Sequence, residues 1–190
     1  LLTLLFNPAV AGAYLLADRL LGAPIGLVGQ SVGQVLYAKG RGAIEQKRMA
    51  ALATNVSVGL LAISFVPTLV LFLISEPLVA FIFGETWREA GNFASWLILG
   101  LSAQLIFSSV SLTLMATNAQ NVNLALQLVM LVAKGAALFY GYAADSPLSA
   151  IIALAIVNLL GYLGATGVII RRAHLHDIGG ISGAVERRRA

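Results

Sequence analysis

A helix needs about 20 consecutive apolar residues to cross the hydrocarbon of a bilayer, and five stretches of this chain reach that length: residues 9–38, 50–74, 94–115, 122–143 and 148–170. Each is bounded by charges or by turn-forming residues. No stretch alternates with the period of two that a membrane barrel strand requires. The chain therefore reads as an all-α, polytopic membrane protein. Composition agrees: of 190 residues, 59% are apolar and only 11% charged, with a mean hydropathy of +0.90. A soluble domain carries roughly a quarter charged residues. There is no cysteine, which excludes a disulfide scaffold and a thiolate metal site.

Residues 1–6 form an apolar run with no initiator Met, no positive flank and no small-residue cleavage site, so they do not read as a signal peptide. The expectation is a chain that begins partway through a helix, giving about six spans with the first truncated. Residues 1–170 then form one transmembrane bundle and 171–190 a basic tail. Asn7-Pro8 and Asp145-Ser146-Pro147 read as turns. The run 9–38 exceeds the thickness of a bilayer at about 1.5 Å per residue, and Pro24 between Gly22 and Gly26 marks the expected bend. Residues 75–93 mix Glu76, Pro77, Glu85, Trp87, Arg88 and Glu89 with apolar residues, which suggests a short interfacial helix rather than a span.

Orientation follows from the basic residues outside the spans. Lys39, Arg41, Lys47, Arg48, Arg171, Arg172, Arg187, Arg188 and Arg189 fall on one side, and Arg88 alone on the other. Basic loops are retained on the cytoplasmic face. The tail is therefore expected inside and the Trp87 turn outside.

Three charges lie within the apolar runs: Asp18, Arg19 and Lys134. The first two sit close enough to a span end for a long side chain to snorkel. Lys134 lies near the centre of its run, where an isolated lysine costs at least about 3 kcal/mol. It should face the bundle interior or a wet cavity, either to bind an anion or to pair with a carboxylate. At about 100° per residue, Asn123, Gln127 and Lys134 share a narrow arc that Gly141 continues. Arg19, Gln30, Gln34 and Tyr37 form a second polar stripe, beside a glycine stripe of Gly22, Gly26, Gly29 and Gly33. The glycines would admit either a neighbouring helix or a substrate. Gln104, Ser108 and Ser111 make a weaker set, and Asn158 stands alone. Any one set could be ordinary interhelical hydrogen bonding. Two stripes that each carry a cation point instead to a hydrated, positively charged cavity.

The chain lacks a phosphate-binding loop with Lys-Ser/Thr, a paired-aspartate metal motif and any nucleophile–base constellation. No catalytic residue, metal, cofactor or nucleic-acid partner is expected. His174, His176 and Asp177 could approach a metal, but a short cluster without further ligands reads more simply as a solvated juxtamembrane segment. The basic tail suits anionic lipid headgroups.

Two motifs carry a resemblance. The stretch 13–24, Ala-Tyr-Leu-Leu-Ala-Asp-Arg-Leu-Leu-Gly-Ala-Pro, followed by residues 25–37 and a basic loop, resembles the pattern in bacterial polysaccharide flippases of the multidrug/oligosaccharidyl-lipid/polysaccharide exporter superfamily. Phe83-Gly84-Glu85-Thr86-Trp87-Arg88-Glu89-Ala90-Gly91 is similar to the Phe-Gly-x-x-Trp-x-x-Ala-Gly signature of the same group. The resemblance implies the C-terminal half of an O-antigen or exopolysaccharide repeat-unit translocase, built from two pseudo-symmetric bundles in the bacterial inner membrane. It would move an undecaprenyl-diphosphate-linked oligosaccharide between leaflets, and this half would not transport without its N-terminal bundle. Under that reading Lys134 and then Arg19 compensate the diphosphate, while Gln30, Gln34, Gln127 and Asn123 bond to sugar hydroxyls or water. Its partners are membrane lipids, the lipid-linked oligosaccharide and the missing bundle.

Two rivals use the same residues differently. A drug or small-solute exporter would want a cavity carboxylate, and the spans offer only Asp18. A membrane-embedded glycosyl- or lipid-phosphate transferase would need acidic groups near the headgroups, for which Glu85 and Glu89 are the outer candidates.

Overall fold

The computed structural model describes residues 2–46, 48–116 and 120–189. Helices α1 (Leu2–Leu5), α2 (Pro8–Glu45), α3 (Met49–Phe83), α4 (Arg88–Ala116), α5 (Gln120–Ala143) and α6 (Pro147–Arg189) account for almost all of them. Five of these helices are long and apolar enough to cross a membrane. α1 has only four residues, so the described chain has five full spans and one short helical piece. No strand is present among the described residues. Helix is the expected solution in hydrocarbon, because it satisfies every interior amide and carbonyl within one segment.

The turns follow local chemistry. Asn7 Oδ1 accepts from the Val10 amide at 2.8 Å, and Pro8 occupies the first helical position, where a missing N–H costs nothing. α5 ends at Ala143, Asp145 in the following turn takes a positive φ of 47°, and Ser146 Oγ then accepts from the Ser149 amide at 3.3 Å at the start of α6. At the other α3–α4 turn, Gly84 adopts φ 94°, a conformation that side chains disfavour. Its amide closes α3 on the Ala80 carbonyl at 2.9 Å.

One expectation requires correction here. The anticipated interfacial helix over 75–93 does not exist as a separate element. α3 runs through Pro67 and Pro77 to Phe83, Glu85–Trp87 form one 3-10 turn, and α4 starts at Arg88. The charged residues that suggested an interface cluster at the turn itself: Arg88 reaches Glu85 at 2.8 Å and Glu76 at 3.2 Å. Pro24 lies inside α2, which is continuous from Pro8 to Glu45.

α4 is the central post, packing on α2, α3 and α6, while α5 packs on α6. Phe93, Leu97 and Leu101 of α4 meet Ala13 and Ala17 of α2 and Ile151 and Leu154 of α6 in one core. A second core joins Phe107, Val110 and Leu114 to Leu36, Met130, Tyr162 and Ile169. By contrast, α3 and α5 expose large apolar side chains such as Ile63, Phe65, Val132 and Phe139. Such surface is compatible with lipid as solvent.

The tail also departs from expectation. α6 continues without a break through residues 171–189, and its first part is docked rather than solvated. Ala173 packs with Met49 and Ala50, and Asp177 is 7% exposed. Asp177 Oδ2 accepts from the Ala50 amide at 2.9 Å.

Candidate functional site: a groove beside Lys134

On α5, Met130, Ala137 and Gly141 are buried, and Lys134 falls on the same helical face, along the seam with α6. The arc read from the sequence through Lys134 and Gly141 therefore faces the bundle. A Cβ on Gly141 would run into Ala150 of α6, so the two helices touch closely one turn below their connection. Further along the seam, the lysine ammonium finds its partner in a phenol.

Lys134 Nζ donates to Tyr162 Oη at 3.0 Å and lies 5.0 Å from the ring centroid. Those two distances together place the amine off the hydroxyl end of the ring. The contact is thus a hydrogen bond to oxygen more than a cation–π contact over the face. Tyr162 is buried and held on both sides. Its ring packs on Phe107 with centroids 5.2 Å apart, and its carbonyl accepts from Thr166 Oγ1 at 2.8 Å. A tyrosine that accepts from the ammonium keeps its own O–H free to donate.

Lys134 also lines an open groove of about 510 Å³, together with Thr3, Gly12, Tyr14, Leu138 and Leu154. The groove contains no carboxylate among its lining residues. Within 4 Å, the ion pairs among the described residues are those of Arg88 with Glu76 and Glu85. The ammonium is therefore half-buried, bonded to a neutral phenol, and beside open space.

The other sequence candidates lie elsewhere. Arg19, Gln30 and Gln34 are exposed along α2, and Gln127 is exposed on α5. Asn123 is half-buried, and its Oδ1 is buried without a hydrogen-bond partner among the described residues. Of the six candidates, Lys134 is the one that lines the groove. Asp18 is half-buried, one turn beyond Tyr14. Part of the glycine stripe packs against a helix: a Cβ on Gly29 would collide with Ser108 Oγ, and one on Gly33 would come within 3.0 Å of Leu112 and 3.3 Å of the Ser109 carbonyl. Ser109 adds a long hydrogen bond to the Gly29 carbonyl at 3.3 Å. Ser108 and Ser111 bond back to their own helix. Ser108 and Ser111 are thus satisfied within their own helix, with Ser108 at the α2 contact.

Tyr14 and Tyr162 escaped the sequence reading. Their signal is a phenol inside an apolar run, because a buried hydroxyl must find a partner. No three-residue His, Asp or Glu cluster able to hold a metal occurs among the described residues.

Comparison with known proteins returns nothing. No family model, curated protein or solved structure matches the chain. The chemistry of the groove therefore stands on its own: one cation held from behind by the buried Tyr162, the Tyr14 phenol, the Thr3 hydroxyl and apolar walls within a bundle of membrane-length helices. Such a surface can neutralise an anion and donate hydrogen bonds to it, while its apolar part accommodates an alkyl chain.

Proposed function

We propose that this chain is one bundle of a flippase that carries an undecaprenyl-diphosphate-linked oligosaccharide across the bacterial inner membrane by alternating access. The observation that carries this reading is the Lys134 ammonium, bonded to Tyr162 and open to a groove without a carboxylate. A diphosphate and several sugars cannot enter hydrocarbon without losing hydration, and a cation in a groove wall offsets that loss. The resemblance of residues 13–24 and 83–91 to polysaccharide flippases supports the substrate class. Exposed Arg19, Gln30 and Gln34 on α2 suit a face that meets a second bundle across a wet cavity rather than lipid. Rigid-body rocking of two such bundles opens the cavity to each leaflet in turn. The side carrying Lys39, Arg48, Arg171 and Arg172 is assigned to the cytoplasm by its basic residues.

Glu85 is engaged by Arg88 through two hydrogen bonds, at 2.8 and 2.9 Å, which favours a structural role at the outer turn over that of a transferase base. The test is complementation. In a cell lacking the native gene, the full-length protein with Lys134→Ala should fail to restore surface polysaccharide while reaching the membrane in normal amount. Full restoration would remove the reading's main support.

A further inference from the structure

At the end of the bundle opposite the Arg88 turn, the first two turns of α3 form a low ridge between two grooves. One groove, of about 320 Å³, is lined by Lys39, Gln46, Arg48, Leu52 and Asn55. The other, of about 670 Å³, is lined by Thr54, Asn55, Gly167, Arg171, His174 and Leu175. Ala51 and Asn55 belong to both. They lie one helical turn apart, so the grooves meet along a single small-residue ridge. Lys39, Arg48, Arg171 and His174 are exposed, and among the described residues no carboxylate lines either groove. The helix terminus adds little to this field, because Asp177 already occupies the Ala50 amide.

Depth identifies the ligand. The apolar runs 9–38, 50–74 and 148–170, which lie in helices long and apolar enough to cross a membrane, are flanked at this end by Lys39, Arg48 and Arg171, with His174 one turn beyond Arg171. In a bilayer spanned by those runs, basic side chains that flank them reach the phosphate layer. Below them the surface turns apolar: Val58 and Leu61 of α3 and Val168 of α6 are exposed. Gly167 has no neighbouring atom within 4 Å of where a Cβ would sit. Basic pockets between transmembrane helices at this depth bind anionic headgroups. We infer that the paired grooves around Ala51 and Asn55 are a binding site for a phosphate-bearing lipid, with Lys39 and Arg48 on one side and Arg171 and His174 on the other holding the phosphate. This site is separate from the Lys134 groove and does not depend on transport.

The test titrates the purified 190-residue chain in detergent with phosphatidylglycerol or phosphatidylcholine and reads bound lipid by native mass spectrometry. Lys39→Gln/Arg48→Gln and Arg171→Gln/His174→Gln should each weaken phosphatidylglycerol binding roughly tenfold. Arg187→Gln/Arg188→Gln, which removes the same formal charge as the first pair, should change it less than about twofold. Inorganic phosphate at equal concentration should not displace the lipid. Single Lys39→Gln and Arg48→Gln variants, matched to the parent in circular dichroism, keep the test valid if a double variant misfolds. Equal losses in the tail control would replace a defined site with diffuse attraction. No preference over phosphatidylcholine, or full displacement by inorganic phosphate, would overturn the lipid assignment.

Discussion

Asp177 of α6 caps α3 from 127 residues away, accepting the Ala50 amide at 2.9 Å. The local N-cap residue, Arg48, makes no side-chain capping bond. A helix start needs an oxygen acceptor for its free amides, and here a distant helix supplies it. The cap thereby fastens the extension of α6 to the start of α3. Replacing Asp177 with Ala should cost about 1 kcal/mol, the usual worth of a lost cap. Asp177→Asn, which keeps an acceptor, should cost less. Thermal unfolding in detergent, followed by circular dichroism, reads both. Equal stability of the alanine variant and the parent would count against the cap.

Glycine contacts predict an ordered series. A Cβ on Gly91 would come within 2.7 Å of the Glu76 Cα and the Ser75 carbonyl. Backbone cannot rotate aside, so Gly91→Ala should destabilise by roughly 1–3 kcal/mol, as overpacking does. Gly26 has open space at the same position, and Gly26→Ala should be neutral or slightly stabilising through helix propensity. The same melting experiment distinguishes them by the sign of the shift.

The Arg88 turn predicts a negative result. Arg88, Glu85 and Glu76 form an exposed network, and such pairs contribute little because water and salt screen them. Glu85→Gln/Glu89→Gln in the full-length protein should leave surface polysaccharide unchanged on a gel of cell-envelope extracts. Loss of product with normal protein level would favour the transferase reading.

Tyr162 should matter through its hydroxyl. Tyr162→Phe keeps the ring on Phe107 but removes the acceptor of the Lys134 proton. The variant should fold, with a melting temperature close to the parent's, and lose most of the polysaccharide restored by complementation. Full activity would show that the ammonium needs no holder.

Much of the architecture was legible because hydrocarbon leaves few alternatives. Run length placed the five spans, and Asn7-Pro8 and Asp145-Ser146-Pro147 marked two turns by local chemistry. The α3–α4 turn was misplaced. Glu76 and Pro77 resemble a helix end, yet α3 continues past them to Phe83; proline within a membrane-length helix is tolerated more readily than in a soluble one. Asp177 was read as solvated because a cap from a distant helix leaves no trace in local sequence. In the candidate site, the cost of a mid-span charge made Lys134 stand out, and helical phase put it on one face with Gly141, the face that packs on α6. Its partner was hidden, since Tyr162 looks apolar in a hydropathy pattern. The glutamines followed polarity alone, and polarity does not say which surface a helix buries.

The central claim is that the Lys134 ammonium meets anionic substrate in the groove. The most direct measurement is binding of a short polyprenyl diphosphate to the purified full-length protein in nanodiscs, comparing Lys134→Ala and Lys134→Arg with the parent. The account predicts affinity at least roughly tenfold weaker for Lys134→Ala, as expected for loss of a part-buried charge partner, and substantial retention for Lys134→Arg. Unchanged affinity in a folded Lys134→Ala protein would contradict it.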